Sequence, residues 1–260
     1  MPVLALDTSA AVAVALTDDA GEVLAARSDA QQRHHAELLT PMIAAVLADA
    51  GVDRRELTSV AVGTGPAPFT GLRVGLVTAR TLALALGIPV LGVPSLDAVA
   101  ARASRVLPAG TDVLVATDAR RREVYWALYR LVEAGRIEVL VAPEVAAAAD
   151  VAADARTVGA LAIGRGAALY ADVFSPRTQL TEPGPVVTAG AAFLPGEPAI
   201  PPSGDAVPDL EGFGLLDPEP AELARLALTR TAAGLVLDTE PLYLRRPDAV
   251  PQAARKRVLG

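Results

Sequence analysis

Apolar positions along this chain fall into short, mostly continuous runs separated by longer stretches of helical spacing, and the order of these segments occurs twice. Residues 3–6 and 11–16 read as strands, Asp18-Asp19-Ala20-Gly21 as a turn and 22–27 as a third strand, giving an antiparallel meander. A helix is predicted over 34–50, where Leu38, Leu39, Met42, Ile43, Val46 and Leu47 form one broad apolar face and Gly51 ends it. Val60 and Val62 lie on a short strand that breaks at Gly63-Thr64-Gly65. A long apolar helix follows and reaches Gly87, with Thr70 expected to cap its free N–H groups and Gly87 and Pro89 to stop it. Residues 89–93 read as a further strand, and Ser95 is expected to cap a helix through 103.

After Pro108-Ala109-Gly110 the pattern restarts. A strand over 113–117 ends in Asp118, and Arg120-Arg121-Arg122 form a turn into a long strand over 124–131 that carries Tyr125 and Tyr129. A third strand, 137–141, precedes a helix near 146–155, a strand at 158–163, Gly164-Arg165-Gly166 and a short helix. Asp7 thus corresponds to Asp118, and Gly63-Thr64-Gly65 to Gly164-Arg165-Gly166. Two subdomains of one α/β plan are predicted, 1–105 and 106–182. A Pro- and Gly-rich connection over 183–220 precedes a helix over 221–234 that returns to the first half, and 235–260 forms a tail.

The helix before Gly87 is apolar nearly all round. Gly71, Gly75, Ala79, Ala83 and Gly87 recur every four residues and lay a stripe of small side chains along one face, which permits a close helix crossing. Leu72, Val74, Leu76, Val77, Leu82, Leu84 and Leu86 surround the stripe, so only Arg73, Arg80 and Thr81 are polar. Either the helix is central to one core, or one face covers the sheet and another covers a partner.

Composition removes most chemistry. No cysteine is present, which excludes disulfides and thiolate metal sites. Lys256 is the only lysine, and His34 and His35 are adjacent, so neither a phosphate-binding lysine nor a spaced histidine metal pair exists. Net charge is −7, which opposes independent binding to nucleic acid, and the basic Arg255-Lys256-Arg257 reads as a solvated end. No run approaches the ~20 apolar residues of a membrane span. The N-terminus has no basic region and places Asp7 inside its first apolar run, arguing against a signal peptide. A soluble, cytoplasmic protein is expected. The strand–glycine–helix turn has an anion-binding outline. Pro68, however, has no N–H to donate and stands where a dinucleotide fingerprint needs its third glycine.

The segment Gly65-Pro66-Ala67-Pro68-Phe69-Thr70-Gly71-Leu72-Arg73-Val74-Gly75 resembles the signature of the bacterial TsaB (YeaZ) family, departing from it at Ala67 and Pro68. Pro241-Leu242-Tyr243-Leu244-Arg245 resembles that family's closing segment, and Asp118-Ala119-Arg120 another of its motifs. The resemblance implies a duplicated ribonuclease-H-like (actin-like, ASKHA) fold with two subdomains facing a cleft. It also implies a non-catalytic role in making threonylcarbamoyladenosine in tRNA. The implied partners are a TsaD-like catalytic paralogue and a TsaE-like ATPase, with a homodimer when alone, tRNA reached only through the complex and no membrane. In that fold class an acidic residue ending each first strand serves a metal–phosphate site, which makes Asp7, Thr8, Ser9 and Asp118 the nucleotide-site candidates; the alternative is that each carboxylate simply satisfies the N–H groups of its own turn. No resident cofactor is expected, with a nucleotide conceivable at the partner interface. The family's contact through paired helices implies an interface of His35, Leu39, Met42, Ile43, Val46, Leu72, Gly75, Leu76, Ala79, Arg80 and Ala83.

Where the catalytic paralogue carries an HxxxH metal pair, this chain has His35 followed by Leu39, so the second ligand is missing. A Ser9–His35–Asp7 protease triad lacks the strained turn that presents a nucleophile. Two readings remain: a pseudoenzyme scaffold that activates a catalytic relative, and a stand-alone ATPase or kinase. The missing lysine, histidine and glycine complement favours the scaffold.

Overall fold

The computed structural model describes residues 1–29, 35–174, 212 and 214–245, and for His35 the backbone alone. The first half contains β1 (Val3–Asp7), β2 (Val12–Thr17), β3 (Val23–Asp29), α1 (His35–Ala50), β4 (Ser59–Gly63), α2 (Phe69–Leu86), β5 (Val90–Val93) and α3 (Ser95–Val106). The second contains β6 (Asp112–Asp118), β7 (Glu123–Glu133), β8 (Arg136–Ala147), α4 (Ala148–Ala153), β9 (Leu161–Ile163), α5 (Arg165–Leu169) and α6 (Ala171–Phe174), and α7 (Pro220–Ala232) follows.

The two sheets have orders β3-β2-β1-β4-β5 and β8-β7-β6-β9. In each, the first three strands are antiparallel and the fourth pairs parallel to the first: Leu4 opposite Val60, and Leu114 opposite Ala162. This is the ribonuclease-H-like plan written twice, as the duplicated pattern predicts. Strand β8 continues to Ala147, beyond the expected 141, because β7 is itself long and pairs with it from Glu123 to Glu133.

Alternation sends the two faces of each sheet to different cores. In the first sheet Leu4, Leu6, Val14, Leu16, Val60 and Val62 pack under α1 and α2, while Val3, Ala5, Ala61 and Val93 pack against α7 and Ala98 and Ala101 of α3. In β7, Ala127, Tyr129 and Leu131 meet α3, whereas Val124, Trp126 and Leu128 meet α4 and α5. The layers therefore run α1/α2, first sheet, α7/α3, second sheet, α4–α6. Helix α3 is buried on nearly every side from Ser95 to Ala103, touching both sheets, and is tied to its neighbours by ionic contacts. Asp97 accepts from Tyr129 Oη at 2.8 Å and from Arg230 Nη2 at 2.6 Å. Arg105 donates to the buried Glu222 at 2.6 Å. Burial is the main cause that drives the Tyr129 phenol well above its usual range, with the Asp97 charge second.

Two expected caps are corrected. Helix α2 begins at Phe69 behind Pro68 with no side-chain cap, so Thr70 is an exposed first-turn residue; its C-terminus does stop on left-handed Gly87 at φ 67°. Helix α3 likewise follows Pro94 without a side-chain cap, because the Ser95 hydroxyl is used elsewhere. With a mean hydropathy of 1.3 over its 18 residues, α2 is also long and apolar enough to cross a membrane, contrary to the expectation that no run comes close. It carries Arg73 and Arg80 on its exposed side and packs Leu72, Gly75, Leu76, Ala79 and Ala83 against the sheet. The expected 183–220 connection falls mostly outside the described residues, as does the chain beyond Arg245.

Candidate functional site

A cleft of about 510 Å3 opens between the two halves at the ends of β1 and β6. Thr8, Ser9, Pro68, Thr70 and Gly71 line it from the first half, together with Glu37 of α1; Thr117, Asp118, Arg120 and Arg165 face them. Two of the four nucleotide-site candidates reach the cleft through β1's end and a third through β6's. Asp7 does not.

Asp7 is 2% exposed, and both carboxylate oxygens are occupied. Oδ1 accepts the Ser9 N–H at 2.7 Å and the Ser9 hydroxyl at 2.6 Å; Oδ2 accepts the Ser95 hydroxyl at 2.6 Å. Ser95 Oγ in turn accepts the Gly65 N–H at 3.1 Å, so this N–H of the glycine loop is directed inward. Burial raises the Asp7 carboxyl above its ordinary range, and the bonds from Ser9 and Ser95 partly oppose the rise. The aspartate is a strut between β1, the loop after β4 and the start of α3, and its bonds to Ser9 and Ser95 favour the structural reading of this carboxylate over a place in a metal–phosphate site. Asp118 repeats half of the pattern: Oδ1 accepts the Arg120 N–H at 2.8 Å, and Oδ2 lies 3.2 Å from the Arg120 guanidinium. Among the described residues no group of three His, Asp or Glu side chains could hold a metal ion.

Thr8 does something the sequence does not announce. Its hydroxyl donates to the Gly71 carbonyl at 2.8 Å and accepts from the Gly75 N–H at 3.1 Å, bridging two groups that an α-helix joins directly. A Cβ on Gly75 would stand 2.4 Å from Thr8 Oγ1, so the small residue there serves the sheet.

The same is true of Ala79 and Ala83 in the small-residue stripe, whereas Gly87 is exposed, and the expected interface is corrected accordingly. Leu39, Ile43, Val46, Leu72, Gly75, Leu76, Ala79 and Ala83 are buried against the chain's own sheet, leaving no surface for a partner. Met42 is half-buried and Arg80 exposed, while the side chain of His35 lies outside the described residues. The outer ridge of α2 is instead Val77, Thr81 and Leu84, with Val77 61% and Leu84 84% exposed. Helix α1 lies beside α2 and turns Thr40, Ala44 and Ala48 outward.

Residues of the two resembling segments meet in space. The Phe69 and Tyr243 rings stack, and Arg73 lies over both, at 4.9 Å from the Phe69 centroid and 5.5 Å from that of Tyr243. Arg80 donates to the Thr239 carbonyl at 2.6 Å and pairs with Glu240 at 3.0 Å. Leu242 N–H bonds the Thr64 carbonyl at 2.9 Å, and Arg245 reaches the Ala119 carbonyl of the other half at 2.7 Å. The segment after α7 is thus a strap from α2 to the β6–β7 turn. Gly65 and Pro66 share a cis peptide bond under it.

The comparisons with known proteins agree with this architecture. A family model described as TsaD: tRNA N6-adenosine threonylcarbamoyltransferase matches residues 22–190. An uncharacterised protein of Mycobacterium tuberculosis is 40% identical over 236 residues, covering 89% of this chain and 84% of that one. The tRNA threonylcarbamoyladenosine biosynthesis protein TsaB of Escherichia coli is 37% identical over 151 residues, 56% of this chain and 64% of that protein. The solved structure of YeaZ from Pseudomonas aeruginosa superposes with a TM-score of 0.65 at 30% identity, over 94% of this chain and 99% of that one. The duplicated fold, the motif and strap that meet on α2, and these matches together show that the chain belongs to the TsaB/YeaZ family.

Proposed function

We propose that this chain is a non-catalytic subunit of a tRNA threonylcarbamoyladenosine-forming complex, and that it binds and activates a TsaD-like catalytic relative through the outer faces of α1 and α2. The observation that carries the reading is the ridge of α2, where Val77 and Leu84 stand exposed on a helix whose opposite face is fully used by the sheet. Large aliphatic side chains fixed on a rigid helix, beside the small outward Ala44 and Ala48 of α1, suit a helix-on-helix contact. The sealed Asp7 supports a role without chemistry of its own. With no partner present, the same ridge favours pairing between two copies. A TsaE-like ATPase belongs to the same proposed assembly, tRNA is reached through the complex, and the setting is the cytoplasm.

The test is a pair of charge substitutions, Val77→Glu and Leu84→Glu, with mass in solution measured alone and after mixing with the catalytic relative. Both positions are exposed, so the far-UV circular dichroism and Trp126 fluorescence of the parent should be kept while both complexes are lost. A folded double variant that still assembles places the interface elsewhere. ATP turnover by the isolated parent, lost in Asp7→Ala, would favour the stand-alone ATPase reading.

A further inference from the structure

The turn between β6 and β7 is built in a way that its place in the fold does not require. In each half the same short connection joins the first strand to the second: residues 8–11 between Asp7 and Val12, and residues 119–122 between Asp118 and Glu123. Each begins with an aspartate whose Oδ1 accepts the N–H two residues on. Residues 8–11 complete the turn without a left-handed residue. Arg120, Arg121 and Arg122 complete theirs at φ 65°, 55° and 66°, as the non-glycine residues with positive φ among those described. Left-handed backbone is strained for any side chain with a Cβ, and strain of this kind gathers at functional sites.

The turn is also held rigidly. Besides the Asp118 bond, Glu123 N–H donates to the Arg120 carbonyl at 3.0 Å, Ala148 N–H to the Arg122 carbonyl at 3.1 Å, and the strap's Arg245 to the Ala119 carbonyl at 2.7 Å. All three arginines are exposed, and Arg120 lines the cleft mouth. Arg120 pairs with Asp118 at 3.2 Å and is exposed all the same. On a chain of net charge −7, this is a local concentration of positive charge on a fixed frame.

We propose that the Arg120–Arg122 turn contacts the phosphodiester backbone of tRNA held by the assembled complex. This rests on the function proposed above. Guanidinium forks match phosphate geometry, and successive exposed arginines on a fixed turn suit the spaced phosphates of a polyanion better than one small anion. The acidic remainder of the surface keeps binding by the isolated chain weak, so the turn adds to RNA affinity supplied by the catalytic relative.

The experiment compares the parent with Arg121→Glu/Arg122→Glu and with Arg121→Gly/Arg122→Gly, which removes both arginine charges and suits the left-handed backbone. A labelled tRNA transcript is titrated against the assembled complex over a range of salt, and cross-linked to the isolated chain at low salt. Both variants should assemble as the parent does and bind tRNA about tenfold more weakly. The slope of log affinity against log salt should fall by about one to two, roughly one for each phosphate no longer neutralised. Cross-links at the turn should disappear. Unchanged affinity and slope overturn the proposal. Impaired assembly with unchanged cross-linking also overturns it, giving the turn to an acidic protein surface. If the parent does not assemble with the catalytic relative at all, the functional reading fails, while the low-salt cross-linking still decides whether the turn meets RNA. If the Glu variant does not fold, the Gly variant decides the outcome.

Discussion

The rings of Phe69 and Tyr243, one from the signature segment and the other from the closing segment, stack with centroids 4.2 Å apart and planes 12° from parallel. The Arg73 guanidinium covers both rings and donates to the Tyr243 hydroxyl at 2.9 Å, so the two segments form one unit on α2. That unit fixes the strap beside the exposed ridge of the same helix.

Removing the stack should loosen the strap without unfolding the chain. In a double-mutant cycle, Phe69→Ala and Tyr243→Ala should show a coupling of about 0.5–1.5 kcal/mol, the usual worth of a stacked aromatic pair. Tyr243→Ala should also speed limited proteolysis within residues 235–245. Additive effects in urea unfolding would show that the rings contribute only by burial.

Gly75→Ala sets two effects against each other. Alanine is favoured over glycine inside a helix by about 1 kcal/mol. The added Cβ, however, would meet Thr8 Oγ1 at 2.4 Å and Leu6 Cδ1 at 3.3 Å. Overpacking costs about 1–3 kcal/mol, so the variant should lose stability. A raised urea midpoint would mean that β1 and α2 separate more easily than their hydrogen bonds imply.

Asp7 should carry a pH signature. Burial raises its folded-state value above the unfolded one, so the folded chain holds this proton more tightly than the unfolded chain does. Its contribution to stability is then most favourable below about pH 3.9, the unfolded carboxyl value, and diminishes as pH rises through the folded value. Measured by urea unfolding, the difference between Asp7→Asn and the parent should move in favour of asparagine by up to about 1.4 kcal/mol per pH unit inside that window. Parallel profiles for the two proteins would show that Asp7 does not titrate differently on folding.

Arg122→Gly should stabilise the chain even as it removes a charge. A left-handed conformation costs a residue with a Cβ roughly 1–2 kcal/mol, and glycine avoids that cost but loses more entropy on folding, by roughly 0.5–1 kcal/mol. A net gain of about 1 kcal/mol or less is therefore expected in thermal or urea unfolding. A loss of stability would show that the Arg122 side chain contributes more than its backbone strain costs.

The sequence by itself determined the plan of the fold. Short continuous apolar runs at β1, β2 and β6 and helical spacing at α1 and α2 are local properties, and glycine stops such as Gly51 and Gly87 are set by the backbone alone, so the repeated order of elements was legible before any contact was known. The scarcity of lysine and histidine limited the chemistry in the same way. What only the tertiary structure decided was direction. Helical spacing shows that Gly71, Gly75, Ala79 and Ala83 share a face, but the packing of α2 on the sheet decides that this face turns inward and that Val77 and Leu84 turn outward. Asp7 could be seen at the end of its strand, yet Ser95, which occupies one of its oxygens, lies 88 residues away. The strap could be recognised as a segment, but its place across α2 depends on long-range bonds such as those of Arg73 with Tyr243 and Arg80 with Thr239. Periodicity records which side chains travel together along an element; only the burial of one element against another fixes which of them face water.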